Sequence, residues 1–153
     1  MARIPANYHR PAASLPVKSV DTAVARTDAG LEGDHGVSGK RQVTILSRES
    51  WDAACRELDR DLDPSVRRAN LLVEGLDLGQ TIGKTLRIGP VIIDVLGETR
   101  PCELLDDDGR VGLNEALRSD RRGGVFGKIR SGGPLKVGDP CADHDDASDA
   151  PPR

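Results

Sequence analysis

Two short stretches of this 153-residue chain carry side chains suited to chemistry. The first is Gly97-Glu98-Thr99-Arg100-Pro101-Cys102, where an aliphatic run, Val91 to Leu96, gives way to a loop. A thiol at a strand end, with Arg100 two residues before it to favour the thiolate, can attack sulfur or ligate a soft metal. The second is Gly30-Leu31-Glu32-Gly33-Asp34-His35-Gly36, with three glycines, two acids and a histidine in seven residues. Glycines let backbone approach a ligand closely, and Asp34 beside His35 offers a pair that can move a proton or bind. Each stretch also has a plainer reading: a cysteine packed as a small hydrophobe, and a solvated turn.

The other two cysteines have less to recommend them. Cys55 falls on an apolar stripe between Trp51 and Leu58, where a thiol packs as a small hydrophobe, and Cys141 has no base or cation beside it. His9 and His144 sit near the chain ends and there is no CxxC, which disfavours a zinc site. Asp106-Asp107-Asp108-Gly109 reads as a tight turn, because a cation loop would need further spaced oxygen ligands. Lys40-Arg41, Arg67-Arg68, Arg100, Arg121-Arg122, Lys128 and Arg130 fall at strand ends or in Gly-rich turns. If those loops converge, they form a positive pocket for a small phosphate-bearing ligand; apart, they are ordinary surface charge.

The elements that must position these residues are mostly short strands. β-type runs cover Val17 to Val24, Gln42 to Leu46, Asn70 to Val73, Thr85 to Ile88, Val91 to Leu96, Val125 to Ile129 and Leu135 to Val137. Gly-rich turns separate them, so the expected fold is mainly β, a closed or partly closed barrel with a few short helices. One helix should start after Ser47, a capping residue, with Trp51, Ala54, Cys55, Leu58 and Leu62 along one face and Pro64 beyond its end. A second is expected around Gly112 to Arg118.

Composition bounds the function. Apolar residues make up 37% and Gly numbers 17, which fits one soluble globular domain. Four Asp and one Arg between Ala142 and Arg153 account for the whole formal charge of −3, so the body is neutral. A neutral body with only Trp51, Tyr8 and Phe126 as aromatics disfavours nucleic acid as a partner. The expected organisation is a flexible arm over residues 1–16, a folded unit over 17–141 and an acidic tail over 142–153. Three cysteines and no signal-like stretch point to a reducing cytoplasm, and no apolar run approaches membrane-spanning length.

Seven motifs, in order, resemble the MOSC domain, the C-terminal module of molybdenum cofactor sulfurases that also occurs free-standing in bacteria. They are Gly-Leu-Glu-Gly-Asp-His (30–35), Lys-Arg-Gln-Val-Thr-Ile-Leu (40–46), Arg-Arg-Ala-Asn-Leu-Leu-Val-Glu-Gly-Leu-Asp-Leu (67–78), Leu-Arg-Ile-Gly (86–89), Arg-Pro-Cys (100–102), Arg-Gly-Gly-Val-Phe-Gly-Lys-Ile (122–129) and Gly-Gly-Pro-Leu-Lys-Val-Gly-Asp (132–139). The resemblance implies a barrel-like fold and a pocket in which Cys102 carries sulfur or ligates molybdenum in a pyranopterin cofactor. It makes Arg41, Arg68, Arg100 and Arg122 candidates for the cofactor phosphate, with Asn70 and Gly124 as further contacts. Asp34 and His35 become the proton-handling or orienting pair, although many relatives separate the two by one residue. Three functions follow as alternatives: a molybdenum enzyme reducing N-hydroxylated compounds with electrons from a partner protein; a sulfur carrier loaded by a cysteine desulfurase; or a non-catalytic binding module. Pyridoxal phosphate, if used at all, would belong to a separate partner.

Overall fold

The computed structural model describes residues 3–9, 18–20, 22–32, 39–99, 112–118 and 122–143. Among these residues ten strands and two α-helices follow in order: β1 (Arg3–His9), β2 (Lys18–Val20), β3 (Thr22–Ala25), β4 (Val43–Ser47), α1 (Arg48–Leu58), β5 (Leu71–Glu74), β6 (Thr85–Ile88), β7 (Val91–Glu98), α2 (Leu113–Arg118), β8 (Val125–Ser131), β9 (Gly133–Lys136) and β10 (Cys141–Asp143). Eight strands form one sheet in the order β10-β6-β7-β8-β4-β5-β1-β2, and β3 pairs with β9 in a second. A single apolar cluster receives Cys141, Leu86, Ile88, Val91, Ile93, Val95, Val125, Ile129, Val43, Ile45, Leu71 and Val73 from six adjacent strands of the large sheet, together with Ala23, Ala25 and Leu135 from the small one. Side chains from so many neighbouring strands can meet in one core only if the sheet curls, so the architecture is a partly closed barrel.

Strands β4 and β5 are parallel neighbours, with Ile45 opposite Leu71 and Ser47 opposite Val73. Parallel neighbours need a crossover, and α1 supplies it. All five residues of β4 are consequently buried. Val43 and Ile45 face the barrel core, while Leu46, with Leu72 of β5, lies under a second cluster built from Trp51, Ala54, Cys55, Leu113, Ala116 and Leu117. The Ser47 hydroxyl accepts from the Ser50 amide at 3.2 Å, the cap its side chain suggests.

The apolar stripe expected to run to Leu62 ends sooner. Asp59 turns left-handed at φ 53° and closes α1 at Leu58. Leu62 still joins the helical cluster, held by its carbonyl, which accepts from Trp51 Nε1 at 2.8 Å. The run from Val17 to Val24 also divides: β2 pairs with β1 and β3 with β9, in different sheets. Residues 1–16, read by composition as an arm, contain β1, which lies between β2 and β5. Its register against β5 shifts between Arg3 and Ala6, the interval that holds Pro5, a residue with no amide to donate. At the other end β10 carries the paired backbone to Asp143, two residues past the expected boundary.

The barrel end at the start of β4 is fastened by Gln42. Its side-chain nitrogen donates to Asp28 at 3.1 Å and its carbonyl accepts the Ile129 amide at 2.9 Å. The Gln42 hydrogen bond, followed by the charge of Lys128 at 3.4 Å, holds the Asp28 carboxyl below its ordinary value of 3.8. A depressed folded value stabilises the fold above the unfolded pKa and is lost as pH falls through it. Asp28→Asn, which suits the left-handed φ of 54° at this position, should therefore show a shallower loss of stability below pH 3.8 than the parent. Urea midpoints measured down the acid limb check this; identical slopes would remove Asp28 from the account.

Candidate functional site

Three connections meet where β7 ends. A register shift between Val95 and Gly97 breaks the β7–β8 ladder and leaves Leu96 40% exposed. Past this bulge Gly97 faces Phe126 and Glu98 faces Val125. The Thr99 amide then donates to the Gly124 carbonyl at 2.8 Å. From a third direction comes Arg67, at the end of the short 3₁₀ turn Pro64–Arg67. Its Nε donates to the Gly123 carbonyl at 3.0 Å and an Nη to the Thr99 carbonyl at 2.8 Å. One half-buried guanidinium thus ties the turn before β5, the end of β7 and the start of β8. Charge-assisted bonds to two carbonyls are stronger than neutral ones, which suits Arg67 to fix this corner.

Arg68 follows in the left-handed region at φ 65°, so the two adjacent arginines take different courses. Asn70 is fully buried. Its Oδ1 accepts from the Thr44 amide at 3.0 Å and from the Thr44 hydroxyl at 3.2 Å, and its own amide donates to the Thr44 hydroxyl at 3.1 Å. These bonds lock the start of β5 to β4, so Asn70 has a scaffold role whatever else it touches.

Arg41 lies with its guanidinium 5.5 Å from the centre of the Phe126 ring. A Cβ on Gly97 would stand 3.0 Å from that ring, so the aromatic rests against a strand position with no side chain. The ring is thus placed between Gly97 and Arg41, an arrangement that orients a cation through the ring's negative face. Arg122 goes elsewhere. Its Nη1 bonds Glu57 and the Ala116 carbonyl, each at 3.2 Å, and its side chain is only 16% exposed, against the two helices. Lys128 pairs with Asp28 and Arg130 with Asp94. Among the described residues the basic side chains therefore do not converge as one group: Arg67 and Arg41 attend the β7–β8 corner, while Arg122 secures the helices.

Gly124 has φ 99°, and a Cβ there would collide with the Ile45 carbonyl oxygen. Its lack of a side chain is used by β4, which packs directly against it. Asp34, His35, Arg100 and Cys102 lie outside the described residues. Cys55 and Cys141 are both buried and free. Burial pushes the Cys141 thiol up to about 12, where it has almost no thiolate at neutral pH. Sequence reasoning named neither Arg67 nor Thr99 nor Phe126 as a site residue. The Arg67-Arg68 pair was a usable signal for the first, but only the geometry separates the residue that clamps from its neighbour.

The family model for the MOSC domain matches residues 32–142. The chain belongs to the MOSC domain family. That family is associated with molybdenum cofactor binding, and the match spans every candidate site residue, including those outside the described residues. Among solved structures the chain is similar to the YuaD protein of Bacillus subtilis, with 18% identity, a TM-score of 0.78 and coverage of 95% of this chain and 97% of that one. It is similar to YiiM from Geobacillus stearothermophilus at 14% identity and TM-score 0.76, covering 94% and 75% of the two chains. YiiM from Escherichia coli shares 20% identity at TM-score 0.71, covering 95% and 71%. At these identities the likeness is one of fold. No curated protein matches the chain. Among the described residues no helix is long and apolar enough to cross a membrane.

Proposed function

We propose that this MOSC chain binds the molybdenum cofactor at Cys102 and reduces N-hydroxylated compounds. The observation that carries the reading is the corner built around Thr99, from which Arg100-Pro101-Cys102 continues along the chain. A segment that holds a metal must leave the scaffold from a fixed point, and both the amide and the carbonyl of Thr99 are fastened. The cofactor also fits the polarity there: the Thr99 hydroxyl is buried with no hydrogen-bond partner among the described residues, and Arg41 offers a cation oriented by Phe126.

Within this reading Cys102 is the metal ligand, because a thiolate is the soft donor that molybdenum takes. Arg41, Arg68 and Arg100 hold the anionic phosphate; Arg122, already bonded to Glu57, keeps the helices in place behind Gly123 and Gly124. When bound, the cofactor supplies two-electron redox chemistry. The net change is R–NHOH plus two electrons and two protons to R–NH2 plus water, in which the N–O bond breaks and the substrate is reduced. Asp34 and His35 hand on the protons. The electrons come from a partner protein, since the chain carries no flavin or iron–sulfur motif.

The test is expression in a host that makes the cofactor, followed by molybdenum and pterin analysis and an N-hydroxylamine reduction assay with a low-potential chemical reductant. Stoichiometric metal with turnover is the expected result. Metal-free, inactive protein that acquires a persulfide at Cys102 from a cysteine desulfurase would replace this reading with sulfur carriage.

A further inference from the structure

The two helices cover one side of the barrel and leave another open. Leu46 on β4 and Leu72 on β5 lie in the cluster under α1 and α2. Farther round the sheet, on β7 and β8, alternate side chains enter the core and those between them stay partly open to solvent. On β8 these outward positions are Phe126, Lys128 and Arg130, and on β7 they are Ile92, Asp94 and Leu96. Arg87 of β6 is paired in register with Ile92 and shares their face. The bulge after Val95 sets Leu96 and Gly97 together against Phe126, because two residues on a bulged strand oppose one on its partner. A leucine 40% exposed therefore stands beside a half-buried ring.

Charge on this face is one-sided. Asp94 is bonded to Arg130 at 2.8 Å, and Asp28, from the turn after β3, to Lys128 at 3.4 Å. Arg41 lies over the Phe126 ring, and neither it nor Arg87 has a carboxylate partner among the described residues. Four cations thus share with two carboxylates the face that displays Leu96, on a body whose overall charge is neutral. A few apolar side chains among charges mostly of one sign suit a brief, electrostatically steered encounter rather than a permanent interface.

We propose that this face docks an acidic one-electron carrier protein, whose apolar centre sits on Leu96 and Phe126 and whose carboxylates meet Arg87 and Arg130. The proposal rests on the reading of the chain as a reductase fed by a partner protein, and it names that partner's chemistry and its place of contact. Leu96 belongs to the strand whose end is pinned at Thr99. Three residues of chain span at most about 11 Å, so the Cα of Cys102 lies no farther than that from Thr99. Each carrier gives one electron. Two carriers are oxidised for each N–O bond broken, while two protons are taken up and water leaves.

The experiment uses the full, cofactor-loaded chain as parent, Leu96→Asp, Arg87→Glu and Lys136→Glu. Lys136 is exposed on β9, away from this face, and its variant makes the same change of charge as Arg87→Glu. N-hydroxylamine reduction is driven either by a reduced acidic [2Fe–2S] ferredoxin or by reduced methyl viologen, a small cation that needs no docking face. Leu96→Asp and Arg87→Glu should each raise the KM for ferredoxin about tenfold or more, the usual effect of losing an interface anchor, and leave dye-driven turnover unchanged. Arg87→Glu should also flatten the fall of kcat/KM with rising salt, and Lys136→Glu should match the parent in both assays. Calorimetric titration with oxidised ferredoxin should show the same two variants binding more weakly, with no turnover involved. Equal ferredoxin KM and affinity in the parent and both face variants, or a parent driven by the dye and not by ferredoxin, overturns the docking proposal and leaves the reductase reading in place. A parent that sediments as a dimer broken by Leu96→Asp, or that binds duplex DNA in preference to ferredoxin, gives the face another occupant and overturns it too. A parent with no dye-driven turnover overturns the reductase reading and the proposal with it.

Discussion

Cys102→Ser should lower N-hydroxylamine reduction by at least about 100-fold and leave the protein without molybdenum after dialysis. Removing outer-shell partners of a metal typically costs 10–100-fold, and losing the ligand itself costs more. The change is small in volume but decisive in chemistry: a thiol readily gives the thiolate that a soft metal binds, whereas a serine hydroxyl does not ionise near neutral pH. The other two cysteines cannot stand in. Cys55 is 8% exposed on the buried face of α1, with its sulfur 3.9 Å from the Leu62 carbonyl, and the Cys141 thiol is pushed up to about 12 by burial. Cys55→Ala and Cys141→Ala are therefore expected to retain metal and turnover and to differ from the parent only in stability. Alkylation of the folded, cofactor-free chain at neutral pH should label Cys102 alone. Undiminished turnover in Cys102→Ser would remove the cysteine from the chemistry and leave a binding module whose ligand is held by charge.

Much of the scaffold was legible because its signals are local. The apolar spacing of Trp51, Ala54, Cys55 and Leu58 specifies α1, and the aliphatic runs bounded by glycine specify β4, β6, β7 and β8. What escaped depends on partners far along the chain. Strand β1 has an unremarkable, proline-bearing sequence and becomes a strand because β5, more than sixty residues away, offers it an edge. Helix α1 stops at Leu58 through a left-handed Asp59, a conformation that aspartate tolerates but does not dictate.

The site divides in the same way. Residue types identified Cys102 and the basic turns, since a thiol or a guanidinium announces its chemistry wherever it is placed. Direction was not readable. Arg67, Arg68 and Arg122 look alike in sequence, yet one clamps two carbonyls, one bends the backbone at φ 65° and one bonds Glu57. Which of them faces a ligand is decided by the neighbouring carbonyls and carboxylates, and those neighbours are assembled only by the fold. Thr99 was less visible still, because an orphaned hydroxyl is defined by the absence of partners, and sequence lists residues without their surroundings.

Gly124→Ala should damage the barrel wall severely, and its effect separates two accounts of this glycine. If Gly124 serves by direct contact with the cofactor, alanine would weaken retention and leave the fold intact. The structure gives it a different burden. At φ 99° an L side chain is strained, by about 1–3 kcal/mol for such backbone positions. The new Cβ would also be driven against the carbonyl oxygen of Ile45, a residue 1% exposed in the middle of β4. Neither atom is the movable end of a side chain, so β8 must shift from β4, where Ile45 and Val125 are paired. Forced overpacking adds about 1–3 kcal/mol, giving a total loss of about 3 kcal/mol or more. Gly83 supplies the control: its φ is 87°, but a Cβ there meets nothing within 4 Å. Gly83→Ala should therefore cost the backbone strain alone, and the difference between the two variants in urea unfolding measures the collision with Ile45. Because the Thr99 amide is bonded to the Gly124 carbonyl, the displaced β8 also loosens the root of the Cys102 segment. Cofactor retention should then fall together with stability. Equal destabilisation of the two variants would mean that β8 moves aside freely, and Gly124→Ala with unchanged stability but lost retention would return Gly124 to the cofactor.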